Sequence, residues 1–266
     1  MGFLINLVLW VFFSSSSLRT NGDDEVIDLP ACTYSTMYNF GDSNSDTGGI
    51  AAAFYPPASP SGETYFGRPV GRASDGRLIV DFIGSNYQNG ANFATGGATI
   101  LRPNGSWFDS GLSPFNLEIQ VEHFTQFKDR TAYLYGQFNK ELKDEIVKEE
   151  QSSLMQPSML TYAAKYELIT NAKNQGFEDP FEICCGYHGI GYDVWCGNKG
   201  NVNGTEVYAG SCADPSKIIS WDGVHYTEAA NHWIANRIVN GSMSDPSIPI
   251  TSACNARANL SALGLF

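Results

Sequence analysis

Apolar positions along the chain change their spacing several times, and each change marks an element. Residues Phe3–Phe13 form a nearly unbroken apolar run that ends in Ser14–Ser17. The run is too short to span a bilayer. It fits the core of a secretory leader with small residues at a cleavage site. No Lys or Arg precedes it, and a buried N-terminal strand or helix is the plainer alternative. Residues 36–41 predict a first strand, 43–54 a turn into a helix, and 56–77 a Gly/Pro-rich loop. A short helix follows over 78–83, then a strand of small apolar residues over 91–99. Phe115, Leu117, Ile119, Val121, Phe124 and Phe127 lead into an amphipathic helix over 113–131. Leu134, Phe138, Leu142 and Ile146 repeat at four-residue spacing and predict another over 133–150, whose flanking charges read as a solvated face. Residues 151–158 read as linker, and 160–169 as a strand running into a helix. The Cys/Gly-rich stretch 180–215 reads as loop. A last helix starts at Thr227, a good N-cap residue, and runs through Ile234 and Ile238. Strands alternating with helices predict an α/β fold with a parallel sheet. The expected organisation is a leader over 1–22 and one domain over 23–266, with no internal repeat.

Charge narrows the partners. The chain has 16 Lys and Arg against 28 Asp and Glu, a net charge of −12. Without a basic cluster it is a poor match for phosphate backbones or an anionic bilayer surface, so neither nucleic-acid binding nor stable membrane insertion is expected. Cys32, Cys184, Cys185, Cys196, Cys212 and Cys254 make an even set. In a secreted chain they read as disulfides. No Cys-x-x-Cys pair supports the alternative of a zinc site. Adjacent Cys184 and Cys185 point different ways and are expected to join two different partners. Asn104, Asn203, Asn240 and Asn259 head glycosylation sequons, which agrees with a secreted, extracellular location.

The chemistry lies in two separated segments. Residues 40–49 read FGDSNSDTGG, which places Ser43 at the tip of a tight turn after a hydrophobic strand. Residues 221–225 read WDGVH. A serine hydroxyl is a weak nucleophile until a neighbouring base takes its proton. His225 can be that base, and Asp222 can hold its other ring nitrogen. Among His123, His188, His225 and His232, only His225 has an acid three residues earlier in a Gly-containing turn.

Gly41-Asp42-Ser43, the segment Gly90-Ala91-Asn92-Phe93-Ala94 and the Asp222-x-x-His225 ending together resemble the plant GDSL esterase/lipase family of the SGNH hydrolases. The stretches 66–77, 184–186 and 220–231 are similar to it as well. The resemblance implies a flavodoxin-like three-layer α/β/α sandwich and hydrolysis of carboxylic esters through an acyl-enzyme on Ser43, without metal or cofactor. It implies Ser43, Asp222 and His225 as catalytic residues, with the backbone amides of Ser43 and Gly90 as oxyanion donors. Substrates of this class are small-molecule, lipid or acylated-carbohydrate esters. The chain departs from the family pattern in two places. Ile83 passes directly to Gly84-Ser85-Asn86-Tyr87, where the family continues its helix. Near Lys128-Asp129-Arg130 the family strand ending in Gly-x-Asn-Asp is missing, together with its Asn donor. Asn139 is a poor substitute in a helical setting, and Asn92 reads as structural. The expected sheet is therefore depleted, with about three of five parallel strands. The alternative to an active esterase is a shortened, weakly active or inactive variant acting as a non-catalytic secreted protein.

Overall fold

A computed structural model describes residues 9–14, 34–54, 58–83, 90–104, 113–138, 158–189, 192–243, 247 and 249. Residues 139–150 of the helix expected over 133–150, most of the linker after it, Asn139, Asn259, Cys32, Cys254, the junction after Ile83 and most of the leader lie outside them.

The main sheet is built on β2 (Tyr34–Phe40), an aromatic-rich segment of the kind that favours a pleated, half-buried surface. On one side it pairs parallel with β3 (Gly90–Asn92), Met37 standing opposite Gly90 and Asn39 opposite Asn92. On the other side lies β1 (Leu9–Ser14), antiparallel, with Leu9 opposite Phe40. Residues of the expected leader thus form an edge strand. The fold class is α/β with one parallel strand pair in this sheet. About three parallel strands were expected, but among the described residues the sheet has two, and the second strand is only three residues long. Beyond Asn92 the chain still follows β2 for a few residues, the Phe93 amide donating to Asn39 O at 2.8 Å and the Thr95 amide to Gly41 O at 3.1 Å.

A helix, α4 (Leu117–Phe138), covers one face of the sheet; α1 (Gly49–Ala53), α2 (Glu63–Phe66) and α3 (Ile79–Ile83) precede it. Phe124 packs edge-on to Tyr38 at 4.8 Å and to Phe40 at 5.6 Å, and Phe40 stacks on Phe93 at 5.4 Å. Such pairs add to plain area burial. The two helices expected over 113–131 and 133–150 are continuous at least to Phe138, because nothing at 131–133 breaks the turn.

The other core lies between α3, α5 (Ser158–Thr170) and α6 (Glu228–Val239). Ala164 and Leu168 of α5 meet Ala230, Ile234 and Ile238 of α6. Four-residue spacing stacks these side chains on one helix face. The strand expected at the start of 160–169 is helix throughout. Thr227 caps α6 as expected, accepting from the Ala230 amide at 3.2 Å.

The segment expected as loop over 180–215 carries two hairpins. These are β4 (Tyr187–Gly189) with β5 (Tyr192–Val194), and β6 (Lys199–Val202) with β7 (Thr205–Tyr208). The second turns through Asn203 (φ 51°) and Gly204 (φ 85°), the positive-φ pair that a two-residue hairpin needs. Cys184 bonds to Cys212 and Cys185 to Cys196, so the adjacent cysteines do take different partners. Their backbone lies along the segment that follows Ile219. The Cys184 amide donates to Ser220 O at 3.0 Å and the Cys185 amide to Trp221 O at 2.6 Å. No helix among the described residues is long and apolar enough to cross a membrane.

Candidate active site

The Ser43 turn follows β2 directly. The Ser45 amide donates to Asp42 O at 3.1 Å and the Asn44 amide to Asp42 Oδ1 at 2.9 Å, an Asx-type turn that lifts Ser43 to its tip. Ser43 is half-buried, whereas Ser45 is only 1% exposed and cannot meet a substrate. Among the described residues nothing accepts from the Ser43 amide and nothing bonds its hydroxyl.

The turn is held by side chains that the sequence patterns did not reveal. Gln120 of α4, 1% exposed, accepts from the Gly41 amide at 2.9 Å and donates to Gly41 O at 2.8 Å. It thus pairs with Gly41 as a neighbouring strand would. The buried Asp46 carboxylate accepts from the amides of Gly48 (2.8 Å), Gly49, Ile50 (3.0 Å) and Gly96 (2.6 Å). Asn92 is structural, as expected. Its oxygen accepts from Asn39 Nδ2 and the Ala94 amide, and its nitrogen donates to Ser45 O and Thr47 Oγ1. Asp46→Ala strands four backbone donors, each costing about 1–3 kcal/mol when buried without a partner. The variant is expected to lose roughly 4 kcal/mol or more of stability, read as a lower urea midpoint. An unchanged midpoint would mean that the turn stands without this carboxylate.

Gly90 is placed differently from its implied role. It stands level with Met37, three residues short of the end of β2. At about 3.3 Å per residue that is roughly 10 Å below the end that carries Ser43. Asn92 of this motif and Thr95 and Gly96 just after it reach the Ser43 turn. The Thr95 amide donates to Gly41 O at 3.1 Å. Motif identity does not fix strand register, and the register here sets the Gly90 amide away from the nucleophile.

The second segment is a closed loop. The Trp221 amide donates to His225 O at 2.8 Å, and Gly223 takes a positive φ of 88° that a side chain would resist. Inside the loop Asp222 is nearly buried. Its Oδ1 accepts from the amides of Val224 (3.0 Å) and His225 (2.8 Å), and its Oδ2 meets His225 Nδ1 at 2.6 Å. Burial alone would raise the Asp222 pKa. The bonds from the His225 ring and the two amides outweigh it and hold the carboxyl below the usual carboxylate range. His225 Nδ1 is thereby the donor, and Nε2 is left with its lone pair. That Nε2 is buried and has no hydrogen-bond partner. His188 differs: both of its ring nitrogens have partners, Asp193 Oδ1 at 2.9 Å and Cys185 O at 3.4 Å.

The stretch 72–77 links the two segments. Arg72 pairs with Asp81 at 2.6 Å and reaches Thr47 O at 3.5 Å. At its other end the Glu228 amide donates to Asp75 Oδ1 at 2.7 Å, and Arg77 pairs with Glu228 at 2.6 Å. A hollow of about 610 Å³ lined by Lys173, Phe177, Glu178, Asp179, Pro180 and Phe181 contains none of these residues.

Residues 37–164 match the model of the GDSL-like lipase/acylhydrolase family. A GDSL esterase/lipase of Arabidopsis thaliana is 35% identical over 85% of this chain and 90% of its own. The chain belongs to the GDSL esterase/lipase family. A second Arabidopsis member is 34% identical over 84% of this chain and 92% of its own, and an esterase of Hevea brasiliensis 31% over 87% and 92%. By family the chain is a carboxylic ester hydrolase, and these relatives are plant proteins. The first alignment extends over 352 residues, more than the 266 that this chain possesses, so it crosses internal positions that the chain lacks. The total is in keeping with a shortened chain.

Proposed function

We propose that this GDSL protein is a secreted, glycosylated ester hydrolase that acts through an acyl-enzyme on Ser43. The observation that carries the reading is His225, with Nδ1 held by Asp222 and Nε2 buried and unpartnered. A buried nitrogen without a partner is costly, which supports a role for it as the proton acceptor. As Ser43 Oγ bonds the ester carbonyl carbon, its proton passes to His225 Nε2 and the carbonyl π pair moves onto oxygen. Asp222 stabilises the imidazolium. When the pair returns, the alkoxide leaves with the proton from Nε2. Water then attacks the acyl-serine by the same steps in reverse. The Ser43 amide is one oxyanion donor. The register of β3 argues against Gly90 as another.

The substrate is a small-molecule, lipid or acylated-carbohydrate ester. The three-layer α/β/α arrangement is part of the same proposal, as are removal of residues 1–22 and glycans at Asn104, Asn203, Asn240 and Asn259. Asn104, Asn203 and Asn240 are exposed, which supports their use. Loss of the leader removes β1 and uncovers the outer edge of β2.

The test is covalent labelling of the secreted protein with a fluorophosphonate. The expected adduct lies on the peptide that contains Ser43. An adduct confined to another serine, or none on folded protein, overturns the assignment.

A further inference from the structure

Gln120 is a neutral polar side chain of α4, buried against the end of β2 that leads to Ser43. Phe124, one turn later on the same helix face, packs edge-on to Phe40 at 5.6 Å and to Phe93 at 5.8 Å, which fixes the helix against the sheet. The carboxamide uses both of its ends on one residue. Oε1 accepts from the Gly41 amide at 2.9 Å, and Nε2 donates to Gly41 O at 2.8 Å and to Phe115 O at 3.1 Å. Turned end for end, the group would set donor against donor. Gly41 O takes a second bond, from the Thr95 amide at 3.1 Å. The Gly41–Asp42 peptide plane is thus held from α4 and from the segment after β3. The next plane, Asp42–Ser43, is held at Asp42 O by the Ser45 amide at 3.1 Å. Ser43 therefore follows two peptide planes whose directions are set by hydrogen bonds.

A buried amide is costly unless it is hydrogen-bonded, and an apolar side chain of similar size would fill the same space without that demand. The two differ in what they fix. Apolar burial is non-directional, whereas a hydrogen bond weakens steeply away from its preferred angle. A pair of bonds to one residue sets both its position and its tilt. These bonds do not involve β1, so they are kept when residues 1–22 are removed and the outer edge of β2 is open. A reacting group must be held close to its attack geometry, and a displacement of about 1 Å can lower the rate about 100-fold. We propose that Gln120 is a positioning residue for the ester reaction, its carboxamide locking the Gly41 peptide and thereby aiming the Ser43 hydroxyl and amide. No proton or electron pair passes through it. It acts through Gly41 and Asp42, by setting where the Ser43 oxygen stands when the ester arrives.

This role rests on the hydrolase reading, and the test separates the two. Melting temperature, the rate of fluorophosphonate labelling, and kcat and KM for an aryl acetate are measured across a pH series for wild type, Gln120→Leu and Gln120→Glu. Activity is read at a temperature where circular dichroism shows the protein folded. Gln120→Leu removes both bonds to Gly41. It should lower kcat and the labelling rate roughly 100-fold at every pH, with little change in KM. Gln120→Glu is conditional. A protonated carboxyl accepts at one oxygen and donates at the other, as the amide does, whereas an ionised one only accepts and faces the oxygens of Gly41 and Phe115. Burial raises a carboxyl pKa above its ordinary value near 4, and the loss of melting temperature relative to wild type marks where it ionises. The ratio of Gln120→Glu to wild-type kcat should be close to one on the acid side and fall through that same pH. Asp42, Asp46, Asp222 and His225 are common to both proteins, so their titration cancels in the ratio. A glutamine that served packing alone would move the melting temperature and leave kcat of the folded protein unchanged. Wild-type kcat in folded Gln120→Leu, or a ratio that stays level while the new carboxyl ionises, overturns the proposal and leaves the hydrolase reading standing. Either variant decides the matter if the other does not fold. A folded wild type that neither labels nor turns over ester refutes the hydrolase reading itself, and this role with it.

Discussion

Ser43→Ala is expected to lower kcat/KM for an aryl acetate by roughly 10⁴- to 10⁶-fold, the range found when a nucleophile is removed from a triad. The hydroxyl makes no hydrogen bond among the described residues, so its loss leaves the turn intact. The melting temperature should therefore stay within a degree or two, and activity and stability separate cleanly. The second half of this expectation concerns coupling. A triad works as a unit, so Ser43→Ala combined with His225→Ala should be scarcely worse than either alone. Additive losses, or a Ser43→Ala protein that still turns over substrate within tenfold of wild type, would move the nucleophile elsewhere.

Asp222→Asn is the other large effect. The carboxylate accepts from His225 Nδ1 at 2.6 Å and from two amides. An amide of the same shape can turn its nitrogen toward Nδ1 and donate, which forces the ring proton onto Nε2. The base is then in the wrong tautomer, and kcat should fall by about 10³- to 10⁴-fold. The substitution also changes acid stability. Asp222 has a folded-state pKa below its unfolded value. The stability it contributes is fully present above the unfolded value near 4 and is lost as pH falls through the folded one. Melting temperatures between pH 2 and 6 should drop less steeply for Asp222→Asn than for wild type. Parallel curves would mean that the carboxylate is not held as the hydrogen bonds indicate.

The parts of this fold that sequence reading reached are those written in short segments. Asp222 and His225 are three residues apart within one turn, and Thr227 caps the helix that starts beside it. Cys184 and Cys185 had to diverge because neighbouring side chains cannot share a partner. What it missed depends on contacts across tens of residues. Gln120 reaches Gly41 from a helix 79 positions away, and Gly96 finds Asp46 over 50. Neither interaction leaves a periodic trace. Residues 160–169 misled for a different reason, since a short apolar run has no distinct period. Gly90 shows the limit of motif reasoning. Its residue type is as the family has it, but register, set by pairing with Met37, decides where its amide points.

The paired cysteines make the proposed acid–base loop sensitive to redox conditions. Trp221 opens that loop, and its carbonyl is bonded by the Cys185 amide, while Ser220 is bonded by the Cys184 amide. Both disulfides anchor this one peptide unit, Cys184 to Cys212 and Cys185 to Cys196. With the thiols reduced, the strap beneath residues 220–221 keeps its backbone bonds and the burial of Trp221 but loses both covalent ties, and the turn that holds His225 rests on a looser base. If Ser43, Asp222 and His225 act as the proposed triad, a chain whose thiols stay reduced carries all three and is expected to be slower until an oxidising environment closes the two bonds.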